Sequence, residues 1–343
     1  MSDERQGAPK APTAEASGRP LISVVIPVKN GRSTLTGCLE GILRQTLREQ
    51  LEIVAIDSGS TDGTQEVLRR YPVRLHCIPA EEFNHGETRN LGARLALGEF
   101  VAMTVQDAVP ANTLWLERML KHFQDPRVAA VCGQQITRHD PNNNPLEWFR
   151  PYSEPVAKRV GFADPAEFKR LTPAEQVALC GWDDVTAMYR SSVLLDLPFR
   201  RINFAEDSVW ARDALACGHA LVYDYSARVH HYHNQNFRFR FRRTFTILYH
   251  RYQYFGHSAP PEFVVPELAR CIYRVARRKY CPSRRAHWLA YNLSLIFAEW
   301  LSAWYFWLVL RTRGEAALER IHTRLCGQPP QPLRSSVSTS KTQ

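Results

Sequence analysis

No Cys-x-x-Cys pair occurs among the eight cysteines, Cys38, Cys77, Cys132, Cys180, Cys217, Cys271, Cys281 and Cys326. They are scattered, several within apolar stretches, and read as buried free thiols suited to a reducing cytoplasm. No G-x-G-x-x-G follows the first apolar strand, which argues against a dinucleotide-dependent dehydrogenase. Residues 1–19 lack an apolar h-region and are rich in Ala, Pro, Ser, Gly and charge. They read as a disordered tail rather than a secretory signal, and residues 328–343 have the same character. No nucleic-acid-binding fold signature accompanies the basic residues, so no nucleic-acid partner is expected.

What remains is a chain of 343 residues, 44% hydrophobic and 23% charged, long enough to bury a large core. The formal net charge of +10 is unevenly placed. Residues 238–285 hold twelve Lys and Arg against two acids, Glu262 and Glu267, and carry the whole excess. A block of this kind seeks phosphate, whether on nucleic acid, anionic lipid or a lipid-linked pyrophosphate.

The chain is organised around residues 21–65. An apolar run rich in β-branched residues, 21–28, predicts a buried strand, with Pro27 near its C-terminal end, where a missing ladder donor is tolerated. Leu35, Leu39, Ile42 and Leu43 share one helical face. Residues 51–56 predict a second buried strand, which ends in Asp57-Ser58-Gly59-Ser60-Thr61-Asp62-Gly63-Thr64. Strand, helix and strand of this length make a βαβ unit, hence a parallel sheet whose ligands bind beyond the strands' carboxyl ends. Further strands are expected at 73–78, 100–105, 128–132 and 220–225, with helices at 64–71 and 114–123. Residues 134–173 are polar and patternless, and read as a variable insertion with Trp148, Phe149, Arg150 and Tyr152 as candidates for stacking on a ligand.

Val24-Val25-Ile26-Pro27-Val28-Lys29-Asn30-Gly31, followed by Val54-Ala55-Ile56-Asp57-Ser58-Gly59-Ser60-Thr61-Asp62-Gly63-Thr64, resembles the opening of family 2 glycosyltransferases. Phe83-Asn84-His85-Gly86-x-Thr88-Arg89-Asn90 resembles their bacterial rhamnosyltransferase branch. The likeness runs from about residue 21 to about residue 233. It implies the GT-A type of α/β fold, a nucleotide-diphospho-sugar transferase fold with a mainly parallel sheet flanked by helices. It also implies sugar transfer with inversion from a nucleotide-diphosphate sugar, dTDP- or UDP-linked, to a glycan or lipid-linked glycan acceptor. Catalytic residues 20–235 are then followed by a basic, aromatic helical extension, 236–327.

Positions matching the family's motifs are expected to act accordingly. Donor contacts are implied for Pro27, Val28, Asn30, Asp57, Arg89, Asn90, Gln106 and Asp107. A Gly-containing loop before a helix offers backbone N–H groups to an anion, and Arg89 adds a phosphate donor. The family's metal-binding Asp-x-Asp is reduced here to Gln106-Asp107-Ala108. Mg2+ or Mn2+ is still implied, on Asp107 with His231, and with His233 the next candidate. Trp182, Asp183, Asp184 and Glu206 are assigned to the acceptor side. In Glu206-Asp207, Asp207 is the expected base that takes the acceptor's proton. A pair of carboxylates at a helix start also serves as cap and dipole partner, and His85 reads equally as a donor contact or a packing residue. The shortened carboxylate motif leaves one alternative, a non-catalytic partner in a polysaccharide assembly complex.

Beyond residue 236 the apolar residues recur at three and four, predicting a helix over 237–255. A second basic helix follows at 268–280, and 286–310 is almost wholly apolar, with Trp288, Trp300, Trp304 and Trp307 and with arginines at both ends. That stretch is long enough to span a bilayer, but Asn292 and Glu299 interrupt it. It lies on the membrane, packs within the protein, or spans. Together the basic helices predict docking on an anionic membrane surface, the cytoplasmic face of the plasma membrane.

Overall fold

The computed structural model describes residues 18–140, 143, 144, 146, 155–262, 264–277 and 280–327. The stacking candidates Trp148, Phe149, Arg150 and Tyr152 and most of both tails lie outside these residues. The first half alternates strand and helix: β1 Ile22–Val28, α1 Leu35–Leu43, β2 Leu51–Asp57, α2 Thr64–Leu68, β3 Val73–Cys77, α3 His85–Leu95, β4 Phe100–Thr104, the short β5 Val109–Pro110 and α4 Trp115–Leu120. Then come β6 Val128–Ile136, β7 Ala157–Val160, α5 Pro165–Arg170, α6 Pro173–Leu179, β8 Thr186–Arg190, α7 Ser191–Asp196, α8 Glu206–Ala216 and β9 Ala220–His230.

These strands form a nine-stranded sheet in the order β3-β2-β1-β4-β8-β6-β9-β5, with β7 paired to β9. From β3 to β4 it is parallel, as the βαβ pattern predicts. At β8 the direction reverses, because β8 runs antiparallel to both β4 and β6, so the sheet as a whole is mixed. The β1–β4 ladder ends at Val25 and Met103, before Pro27, so the missing donor faces no partner on that side. The strand order reverses between β1 and β4, which opens a crevice beyond their carboxyl ends.

Two apolar layers flank the sheet. One is built around Ile22, Ile26, Leu35, Leu39 and Trp115. The other holds Trp182, Tyr189, Phe199 and Trp210, whose rings stack edge-on or tilted. Trp115 is fully buried and donates Nε1–H to Thr186 Oγ1 at 2.8 Å, tying α4 to β8.

Residues 134–173 are more regular than their polarity predicts. β6 runs on to Ile136 past a register shift at Cys132/Gln134. Asp164 caps α5 before Pro165, and Thr172 with Glu175 forms a complete capping box on α6. Those cap signals stand in the sequence, and polarity conceals them.

The C-terminal third is helical: α9 Phe237–Phe255, α10 Val265–Ala276 and α11 Pro282–Cys326. Gly314 interrupts α11 with a φ of 71°. Ala298 and Ser302 are fully buried on the α9 side of α11, and Ser302 Oγ donates to the Phe241 carbonyl at 2.9 Å. These small residues let the two backbones approach. The polar interruptions also face protein: Asn292 exchanges hydrogen bonds with Asn144, and Glu299 pairs with Arg240 at 3.0 Å.

Candidate active site

At the carboxyl ends of β1 and β2, the loops 28–32 and 57–64 are stitched together. Asn30, at φ 48°, donates its N–H to Ser60 Oγ and accepts from the Thr61 N–H. Gly31 N–H donates to Thr64 Oγ1 at 2.8 Å. Gln106 closes the arrangement from the end of β4, its amide accepting from Lys29 N–H and donating to the Lys29 carbonyl, each at 2.9 Å. A Cβ at Gly31 would meet Gln106 Oε1 at 2.5 Å, so a side chain there displaces the Gln106 amide from Lys29.

Next to Gln106, Asp107 faces two imidazoles brought in by the end of β9. Its Oδ2 lies 3.0 Å from His233 Nε2 and its Oδ1 3.4 Å from His231 Nε2, and the two ring nitrogens are 3.0 Å apart. The ligand atoms of all three residues lie within 4.8 Å of one another. His231 Nδ1 is 2.7 Å from Gln135 Oε1, which only accepts, so Nδ1 carries the proton and Nε2 keeps its lone pair. Three convergent donors and an oriented second nitrogen fit a divalent cation. Burial raises the Asp107 carboxyl, but when the imidazoles are protonated the hydrogen bond and charge of His231 and the charge of His233 outweigh it and hold the carboxyl below the usual range.

His231 and His233 also line a cleft of 720 Å3 between the sheet and α9, together with Asp183, Glu206, Asp207 and Arg243. Asp207 sits in the first turn of α8, just after Ala205, which takes the left-handed conformation at φ 63°. Its Oδ1 accepts the Ser208 N–H at 2.7 Å. Burial pushes the Asp207 carboxyl well above the usual carboxylate range, and the charges of Glu206, Asp184 and Asp183 push it the same way. Asp183 accepts from Gln135 Nε2 and from the Val185 N–H, so Gln135 joins the imidazole site to the acid floor. The sequence reading passes over Gln135, which lies in the stretch taken as patternless.

Several of the expected contact residues are engaged by protein partners. Arg89, the expected phosphate donor, has its guanidinium on carboxylates. It is buried, with Nε 3.1 Å from Asp184 and Nη1 on Glu206. Two expected acceptor-side carboxylates, Asp184 and Glu206, are therefore held by Arg89, and Asp184 also accepts from the Tyr189 hydroxyl. Asn90 is likewise buried, its amide bonded at 2.9 Å both ways to the Phe199 backbone. The glycine before it serves close packing: a Cβ on Gly86 would meet the Arg200 carbonyl at 2.5 Å. Asp57 is fully buried and accepts from Ser60 and Gln65, so it shapes the donor-side turn from within and does not line the cleft. Gln106 is held by the Lys29 backbone. Trp182 is 4% exposed and donates to Tyr189 from inside an aromatic cluster. Pro27 and Val28 form the end of β1 beneath the mouth, Val28 buried and Pro27 partly so.

Comparison with known proteins gives a consistent result. The family model "Glycosyl transferase family 2" matches residues 23–192. The O-antigen chain rhamnosyltransferase WbaN of Salmonella anatum is 30% identical over 233 residues, 66% of this chain and 70% of that protein. RfbN of Salmonella typhimurium, also an O-antigen chain rhamnosyltransferase, is 30% identical over 231 residues, 65% and 70% of the two chains. The solved mannosyltransferase PcManGT of Pyrobaculum calidifontis, in complex with GDP-Man and Mn2+, superposes with a TM-score of 0.50 at 19% identity, over 89% of this chain and 79% of that one.

Proposed function

Since the chain belongs to glycosyl transferase family 2, in its rhamnosyltransferase-like branch and with the GT-A fold, we propose that it transfers a sugar with inversion. The donor is a nucleotide-diphosphate sugar, dTDP- or UDP-linked, with rhamnose the sugar that the Salmonella relatives suggest. The acceptor is a glycan or lipid-linked glycan of a cell-surface polysaccharide. The observation that carries this reading is the single cleft that holds His231, His233 and Asp207 together.

Asp207 takes the proton of the acceptor hydroxyl as its oxygen attacks the anomeric carbon. The bond from that carbon to the donor phosphate breaks, and the nucleoside diphosphate leaves with the electron pair. A carboxyl raised above its usual range holds a proton better than an ordinary aspartate and so drives this transfer. Asp107, His231 and His233 would hold a divalent cation, whose chemistry is to neutralise charge on the diphosphate. Two imidazoles favour Mn2+ over Mg2+, which prefers an all-oxygen shell. The histidines supply what the shortened carboxylate motif lacks, and that shortening was the sole support for a non-catalytic partner. The mouth at Asn30, with Asp57 supporting it from below, takes the nucleoside.

The helical extension places this cleft against an anionic membrane surface. Phe297, Leu301, Trp304 and Leu308 are exposed at spacings of four, three and four, one stripe along α11. Arg284 and Arg285 stand exposed at its N-terminal end, and Arg311 and Arg313 just before the Gly314 interruption. The helix is long and apolar enough to cross a bilayer, yet its polar residues pair with protein, which supports a helix lying on the surface.

The test is sugar transfer by Asp207→Asn against the unaltered enzyme over a nucleotide-sugar panel, with and without Mn2+. Loss of the base lowers kcat by roughly 10^2- to 10^4-fold. Undiminished transfer would remove Asp207 from this role, and retention at the anomeric carbon would contradict inversion.

A further inference from the structure

Beneath Asp207 lies a buried chain of polar contacts that transfer itself does not use. Trp182 Nε1–H donates to the Tyr189 hydroxyl at 2.6 Å, and that hydroxyl donates to Asp184 Oδ1. Asp184 Oδ2 faces Arg89 Nε at 3.1 Å. Arg89 Nη1 reaches Glu206, the residue before Asp207, and also the His85 carbonyl at 3.5 Å. Asp184 is 1% exposed and Arg89 6%. The chain joins the β8 segment to α3 and ends on the first turn of α8.

The geometry points to Arg89 as a positioning residue: by holding Asp184 and Glu206 at once, it fixes the α8 turn that presents Asp207 to the cleft. This inference rests on Asp207 being the base. A buried guanidinium bridging two carboxylates cannot lose one without leaving charge uncompensated, so the turn is locked. The lock also holds Ala205 at φ 63°, a conformation disfavoured for a residue with a side chain.

The same arrangement sets the field at Asp207. Glu206 on its own helix and Asp183 and Asp184 before β8 face it as like charges, and Arg89 on α3 is the buried opposing cation. From α9, Arg243 faces it across the cleft, stacked 4.6 Å over Phe204. Burial lifts Asp184 itself to about 6, against the pull of Arg89. Removing Arg89's charge and removing Asp184's charge therefore move Asp207 in opposite directions.

The experiment compares Arg89→Gln, Arg89→Lys and Asp184→Asn by the pH dependence of kcat in the full chain. In parallel, the carboxyl bands of substrate-free protein are titrated by difference infrared spectroscopy, with Asp207→Asn identifying the Asp207 band. Arg89→Gln raises the acidic limb by about one unit or more, and Asp184→Asn lowers it. Arg89→Lys keeps the limb near its original place but loses kcat with little change in donor KM, because one ammonium cannot bridge both carboxylates. Should Arg89→Gln not fold, the downward shift in Asp184→Asn decides the matter. Unmoved limbs and bands, or shifts in the same direction, overturn the proposal. If Asp207→Asn transfers sugar normally, the base assignment fails. The infrared shifts then decide separately whether Arg89 governs the Asp207 carboxyl.

Discussion

Gln135 shows how much one uncharged side chain can organise. It accepts from His231 and donates to Asp183, linking the imidazole site to the acid floor. Replacing it with leucine leaves His231 free to turn, and the expected result is Mn2+ affinity weakened by roughly 10- to 100-fold. Electron paramagnetic titration of Mn2+ into nucleotide-free protein checks this without any turnover. His233→Ala removes a ligand outright, and its loss in the same titration exceeds that of Gln135→Leu. Equal affinity in both variants and the unaltered protein would show that these side chains hold no cation.

At the scale of elements, the α9–α11 layer carries its own pH dependence. His322 is fully buried, stacked on Tyr249 at 4.2 Å, and His250 lies beside it. Burial pulls both down to about 4 from an ordinary 6.5, and His250 accentuates the fall at His322. With folded values below unfolded ones, their stabilising effect is complete above 6.5 and is lost as pH falls toward 4. Near-ultraviolet circular dichroism of the C-terminal tryptophans is expected to weaken across that window, and His322→Phe to blunt the change. The outer face of α11 has a separate consequence. Exchanging Phe297 and Trp304 for serine removes aromatic area from the stripe, and co-sedimentation with anionic vesicles falls while the cleft chemistry stays intact. Neutral vesicles bind the unaltered protein less well, and added salt weakens the anionic case.

At the scale of the whole molecule, the mixed sheet explains why residues far apart in sequence meet. β8 enters antiparallel between β4 and β6, so the segment before it, with Asp183 and Asp184, returns to the same end as Asp107. β9 lies parallel to β6, and its end delivers His231 and His233 beside Asp107. α9 then closes the cleft from the far side with Arg243. Chelating divalent ions is expected to abolish transfer while leaving far-ultraviolet dichroism unchanged, since the two apolar layers that hold the sheet do not include Asp107, His231 or His233.

The sequence by itself determined the βαβ opening, because continuous β-branched runs and a 3.6-residue apolar period admit few other structures. The helix at Phe237–Phe255 was legible for the same reason. The resemblance to the family's motifs marked Asp107, Asp207 and the histidines as chemical candidates; taken alone, a carboxylate pair at a helix start reads equally as cap and dipole partner. What the sequence could not determine was direction. Whether Arg89 faces a phosphate or two buried carboxylates depends on Asp184 and Glu206, 95 and 117 residues further along the chain. Only the tertiary structure decided that, because buried carboxylates need an opposite charge beside them, and burial is a property of the packed layers rather than of any local run of residues.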